Sequence, residues 1–185
     1  MSQRTGRGNA GFTLIEILVV IVIIAVLTGV VTLNLNIRNV SKSVQDEARR
    51  IGALMQFASD QAIYSRQQLG IRFHPESYEF YILAAVEESE DLTWQIIDDD
   101  RLAMRTPPEP MLFEMDIEGL PIVLETLADE RKTVTDEEPV KPHILFLSNG
   151  EIMPDFRVLV SDTEGDYQHQ IYSGEEEPVV VEVVE

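Results

Sequence analysis

The hydrophobic pattern changes character twice along the chain. From Phe12 to Val31 the positions are almost wholly Ile, Val and Leu, an unbroken block of about 20 residues. A helix rises about 1.5 Å per residue, so a block of this length matches a hydrocarbon core of about 30 Å. A transmembrane helix is predicted over 12–33. After Asn34, Asn36 and Asn39 the apolar residues thin to a stripe: Val40, Val44, Ala48, Ile51, Met55, Ala58 and Ala62. They recur every three or four positions and so share one face of a helix, while Arg49, Arg50, Gln56 and Asp60 fall elsewhere on the wheel. No proline interrupts the run. The sequence places the helix end near Gln68-Leu69-Gly70, with glycine as the cap, so the amphipathic continuation covers 34–69.

Beyond Gly70 short β-rich runs replace the helical period. Strands are predicted at 71–73, 78–83, 94–97, 143–147, 156–160, 168–172 and 179–184, and Asn149-Gly150 signals a tight turn between the fourth and fifth. Between Ala103 and Pro142 six prolines break any long element. Loops are expected there, with 111–115 and 122–127 as candidate strands. Trp94, Phe73, Phe80 and Phe146 are assigned to the core. The class is α+β: a long N-terminal helix, transmembrane then amphipathic, on an antiparallel β domain at 70–185.

Charge narrows the partners. The formal net charge is −19, which argues against nucleic acid and anionic lipid as main partners, because both are polyanions held by Lys and Arg. There is no cysteine, so disulfides, thiolate metal sites and cysteine nucleophiles are excluded. The segment Met1 to Gly11 carries Arg4 and Arg7 and no acid, which keeps it cytoplasmic and sends the C-terminal domain across. Asp98-Asp99-Asp100 and Asp162-Thr163-Glu164-Gly165-Asp166 do not follow the spacing of a helix–loop–helix calcium site and are read as solvated turns. Glu175-Glu176-Glu177 reads as a charged turn guarding the edge of the last strand. His74, His143 and His169 have no metal-ligand spacing and are read as surface or strand histidines. No nucleophile elbow, phosphate loop or carboxylate pair is present. No catalytic residue, metal or cofactor is assigned.

The edge of the apolar block carries the chemistry. It reads Gly11-Phe12-Thr13-Leu14-Ile15-Glu16, with a carboxylate inside the first apolar turns, where charge is costly and therefore functional by default. A secretory signal would have a shorter core and a small-x-small site, and Thr28-Gly29-Val30 is a poor one. An ordinary signal anchor accounts for the hydropathy but not for the order of these six residues.

The run GFTLIE, followed by a Leu/Val/Ile helix, resembles the type III signal peptide of type IV pilins and pseudopilins. That resemblance implies cleavage by a membrane-embedded prepilin peptidase between Gly11 and Phe12, N-methylation of Phe12, and a leader over 1–11. It also implies that Glu16 pairs with the N-terminal amine of a neighbouring subunit during assembly. Further along, Ala48-Arg49-Arg50-Ile51, Gly70-Ile71-Arg72-Phe73, Tyr78-Glu79-Phe80, Trp94 and Ile144-Leu145-Phe146-Leu147-Ser148-Asn149-Gly150-Glu151 resemble the H-type minor pseudopilins of type II secretion systems. This second resemblance implies a two-sheet β-sandwich over the helix and single-pass anchorage in a bacterial inner membrane, with the domain in the periplasm. Its implied partners are prepilin peptidase, the other minor pseudopilins, the major pseudopilin and the inner-membrane assembly platform. Two alternatives stay open: a minor pilin of a type IV pilus, serving pilus assembly, adhesion or DNA uptake, and a membrane-anchored enzyme.

Overall fold

The computed structural model describes residues 14–85, 91–108, 110–128, 140–174 and 176–184, with side chains described throughout these except over 28–39. Helix α1 runs Leu14–Ser65. The chain divides into two units at Asn39/Val40. In the first, α1 carries the apolar block. The second holds the rest of α1 and ten strands: β1 Leu69–Phe73, β2 Tyr78–Ala85, β3 Leu92–Ile96, β4 Met111–Ile117, β5 Leu120–Ile122, β6 Ile144–Phe146, β7 Ile152–Met153, β8 Phe156–Asp162, β9 Gln168–Tyr172 and β10 Val180–Val183.

The strands form two antiparallel five-stranded sheets, ordered β3-β2-β1-β6-β7 and β10-β9-β8-β4-β5. The chain leaves the first sheet after β3, builds β4 and β5 in the second, returns for β6 and β7, and ends in the second. Each sheet turns an apolar face inward, which strand alternation allows. In the first sheet Leu69, Ile71, Phe73, Phe80, Ile144 and Phe146 are fully buried; in the second, Phe113, Val158, Val160 and Ile171 are. Both faces share one core with α1, whose stripe Val44, Ala48, Ile51, Met55, Ala58 and Ala62 is entirely inaccessible. Phe73 and Tyr78 meet Phe113 at ring separations of 5.8 and 5.9 Å, so aromatic contacts join the two sheets.

Three expectations are corrected. The helix ends at Ser65, and Arg66 takes the left-handed cap conformation (φ 57°), while Gly70 already lies in β1. Glycine is required there for close approach: a Cβ would sit 2.5 Å from the Cβ of Pro142. Asn149-Gly150 closes a hairpin between β6 and the short β7, with Gly150 at φ +91°, and β8 belongs to the other sheet. Trp94 is not a core residue. It lies on β3, an edge strand, and is only half-buried.

The two tight glycines predict a graded response. Gly70→Ala forces a backbone shift against a proline ring and should lower stability by about 1–3 kcal/mol. In Gly52→Ala the new methyl meets the tip of Val181 at 2.6 Å, a side chain that can yield, so the loss should be smaller. Urea unfolding of the detergent-solubilised chain measures both, and an equal loss would contradict the packing account.

Candidate assembly site

Gly11 and Phe12 lie outside the described residues. Glu16 is in the first turn of α1, where the helix N-terminus favours negative charge. Around it every described large apolar side chain of the block is exposed, from Leu14 at 86% to Leu27 at 60%. Among the described residues no helix is long and apolar enough to cross a membrane; the described side chains of this block stop at Leu27, whereas the expected span is 12–33. An apolar surface of this extent needs a cover of lipid or protein, and Glu16 is the one acid within its described part, Leu14 to Leu27.

In the β domain, the helix is tied down by a buried carboxylate that sequence reading missed. Glu47, 5% exposed, accepts the Tyr78 hydroxyl at 2.8 Å and both Nε and Nη2 of Arg105 at 2.9 and 3.1 Å. Tyr78 and Arg105 also exchange backbone bonds, so β2, the segment after β3 and α1 meet at one point. Burial, followed by the Glu47 charge, pushes the Tyr78 hydroxyl well above its ordinary range. The one local signal for Glu47 is its spacing, three residues after Val44 and four before Ile51, which puts it at the flank of the apolar stripe. Nearby, Arg101 stacks 4.3 Å over the Phe57 ring and holds Asp99 through a 2.7 Å bond that lowers the Asp99 carboxyl to about 2.

Of the histidines read as surface or strand residues, His169 lies on β9, while His74 is neither. His74 is 1% exposed, in the turn between β1 and β2. Its Nε2 faces the Glu79 carboxylate at 3.2 Å and its Nδ1 the Glu125 carbonyl at 3.0 Å. Both partners only accept, so both contacts are hydrogen bonds when both ring nitrogens carry protons. Burial alone would raise Glu79; bonds from His74 and Tyr81, with the charges of His74 and Arg72, outweigh it and hold the carboxyl low. His143, just before β6, acts as an acceptor instead. Its Nδ1 accepts the Phe73 N–H at 3.2 Å, and burial, then the charges of Arg72 and His74, lower it to about 4. His169 on β9 is buried, with neither ring nitrogen paired among the described residues; burial and Arg49 hold it low.

The turn 162–166 brings three carboxylates together: ligand oxygens of Asp162, Glu164 and Asp166 lie within 4.8 Å of one another. Asp162 already accepts the Tyr167 N–H at 2.8 Å, and Gly165 at φ +77° closes the turn. Glu176 and Glu177 are exposed before β10, an edge of the second sheet; Glu175 lies outside the described residues. An open cleft of about 710 Å³ is lined by Asp116, Glu118, Asp155 and Arg157. In its lining the Ser173 hydroxyl bonds Asp155 at 3.4 Å, and among the described residues no histidine lines the cleft.

A helix buried along one face by two antiparallel sheets, and entered through a GFTLIE edge, is the architecture of a pilin-like subunit. The prokaryotic N-terminal methylation motif matches residues 6–32, and the type II transport protein GspH family matches residues 47–174. A type II secretion system protein H of Pseudomonas aeruginosa is 32% identical over 158 residues, covering 84% of this chain and 85% of that protein. One of Aeromonas hydrophila is 27% identical over 158 residues, covering 84% and 83%. The crystal structure of the minor pseudopilin EpsH from the type II secretion system of Vibrio cholerae shares the fold. Its TM-score is 0.59 at 22% identity, with 79% of this chain and 98% of that chain covered. The chain belongs to the GspH family, the minor pseudopilins of type II secretion systems.

Two outcomes follow for the domain. Glu47→Ala strands the partly buried Arg105 and the Tyr78 hydroxyl, and should cost about 2–4 kcal/mol in a urea titration; a loss below about 1 kcal/mol would mean the node is replaceable. His143 has its folded pKa depressed from 6.5 to about 4, so its contribution is complete above 6.5 and disappears as pH falls towards 4. It accounts for about 3 kcal/mol at most across that window. His143→Asn should flatten this part of the stability–pH curve, and an unchanged slope would refute the assignment.

Proposed function

We propose that this chain is synthesised with a cytoplasmic leader over 1–11, anchored in a bacterial inner membrane by 12–33, and displays its β domain in the periplasm. Prepilin peptidase cuts between Gly11 and Phe12 and Phe12 is methylated. The subunit then waits in the membrane until an ATP-driven platform lifts it into the pseudopilus. There it joins the other minor pseudopilins and the major one, in a filament that helps export folded proteins across the outer membrane. The observation that carries this reading is the Glu16 carboxylate in the first turn of α1, among the exposed apolar side chains described from Leu14 to Leu27.

The physics of that carboxylate supports an assembly role. An isolated subunit can hold both the new amine and Glu16 near the membrane interface. A subunit drawn into a bundle of helices cannot, and pairing the two charges offsets part of their desolvation. Only one stagger between neighbouring helices brings the pair together, so the charge selects register as it lowers the cost.

Gly11→Ala should block leader removal, seen as a retained higher-mass species on immunoblots. Glu16→Ala should leave cleavage intact and reduce exoenzyme in the medium by on the order of tenfold or more. Normal secretion by that variant would remove Glu16 from the mechanism. Deletion of the gene should trap exoenzymes in the periplasm with surface pili unaffected; lost pili with normal secretion would instead place the chain in a type IV pilus.

A further inference from the structure

The sheet holding Trp94 has an open, apolar edge. β3 pairs with β2 on one side only, in the register Tyr81↔Ile96, Leu83↔Trp94 and Ala85↔Leu92. On β2 the core-facing residues are Phe80 and its alternates, so Leu92, Trp94 and Ile96 stand on the face turned away from the core. Near β1 that outer face is covered: Arg72 donates to the Lys141 carbonyl at 2.7 Å, and Gly70 lies beneath Pro142. Over β3 it is bare. Leu92 is 60% and Ile96 64% exposed, with Trp94 half-buried between them.

The backbone is open along the same strand. Ile97 N–H bonds the Phe80 carbonyl at 3.2 Å, so the amides of Gln95 and Thr93 also point to β2, and those of Ile96, Trp94 and Leu92 point outward. The other three sheet edges are guarded in ways native proteins use: β5 contains Pro121, β7 is two residues long and precedes Pro154, and β10 carries Glu182 behind Glu176 and Glu177. β3 has no charge and no proline within it. Its ends are acidic instead, with Asp91 before it and the exposed Asp98 and Asp100 just after.

The geometry points to β3 as a docking edge that takes an extended segment of another subunit as a sixth strand. The segment it fits has apolar side chains at alternate positions, to lie over Leu92, Trp94 and Ile96, and Lys or Arg towards its ends, to meet Asp91, Asp98 and Asp100. Charge complementarity selects this occupant over a second copy of this chain, whose net charge of −19 would bring acid to acid. Backbone pairing supplies the grip and the apolar stripe with its charged ends supplies the choice, as in other strand additions. The identity of the partner as a pseudopilus subunit rests on the function proposed above.

The test uses the full chain in its host membrane, with Leu92 replaced by the photocrosslinking residue p-benzoylphenylalanine. Irradiation should join it to an extended, alternately apolar segment of another secretion subunit, with Lys or Arg flanking the crosslinked residue. Ile96→Pro removes only an outward amide, so it should keep leader processing and the melting midpoint while lowering crosslink yield and secreted exoprotein on the order of tenfold. Should that variant melt early, Trp94→Lys, which keeps every backbone bond, decides instead. Asp98→Lys with Asp100→Lys should weaken the crosslink too. Crosslinks only between copies of this chain, crosslinks to a helix, none at all, or normal secretion by a well-folded Ile96→Pro each overturn the proposal. Gene deletion separates the two levels: if it abolishes secretion while the β3 variants do not, the docking edge alone falls. If deletion leaves secretion intact, the assignment to the secretion filament falls first.

Discussion

Burial of one narrow helical face holds the domain together. Each sheet turns an apolar face inward, and neither is rolled into a closed barrel, so both inner faces must be covered by something else. The stripe from Val44 to Ala62 does this, and its residues become small towards the C-terminal end, where Ala58 and Ala62 are fully buried. Small side chains let the backbone of α1 approach closely, as at Gly52, where a methyl would strike Val181 of β10. Without cysteine, no covalent link reinforces this packing.

Polar groups then fix what packing alone leaves loose. Glu47 emerges from the apolar stripe of α1 and gathers Tyr78 and Arg105, each of which already bonds the other through the backbone. A buried carboxylate with all its bonds made adds little net stability but a strong penalty for wrong arrangements. Two histidines serve the first sheet in a similar way: His74, in the β1–β2 turn, lies between Glu79 and the Glu125 carbonyl, and His143, just before β6, accepts the Phe73 amide. These contacts fasten the segments around 125 and 141 over one half of the outer face, leaving the β3 half uncovered.

Much of this was legible because it depends on period and on order along the chain. The buried face of α1 follows from the spacing of Val44, Ala48, Ile51, Met55, Ala58 and Ala62, and most strands follow from β-rich runs between turn residues. What stayed hidden depends on contacts across the fold. Gly70 looks like a helix cap until Pro142 is seen against it. Asn149-Gly150 signals a turn but not which strand receives the chain after it, and the two-residue β7 is too short to leave a pattern. Trp94 has the residue type of a core position, yet whether a strand is central or at an edge is set by partners many residues away. Glu47 and His74 were obscured for the same reason, since burial of a polar residue is a property of its neighbours.

The strand order also governs how such a domain can be made. β1 finds β2 at once, but its other neighbour, β6, lies beyond the whole excursion through β4 and β5, and β4 waits for β8. Pairings this distant in sequence are slow to close. From the N-terminus onward the buried stripe of α1 is therefore complete well before the second sheet exists to cover it. Until β8 to β10 are in place that stripe is an apolar surface in need of a temporary cover, so the last strands to be made decide when the helix is sealed.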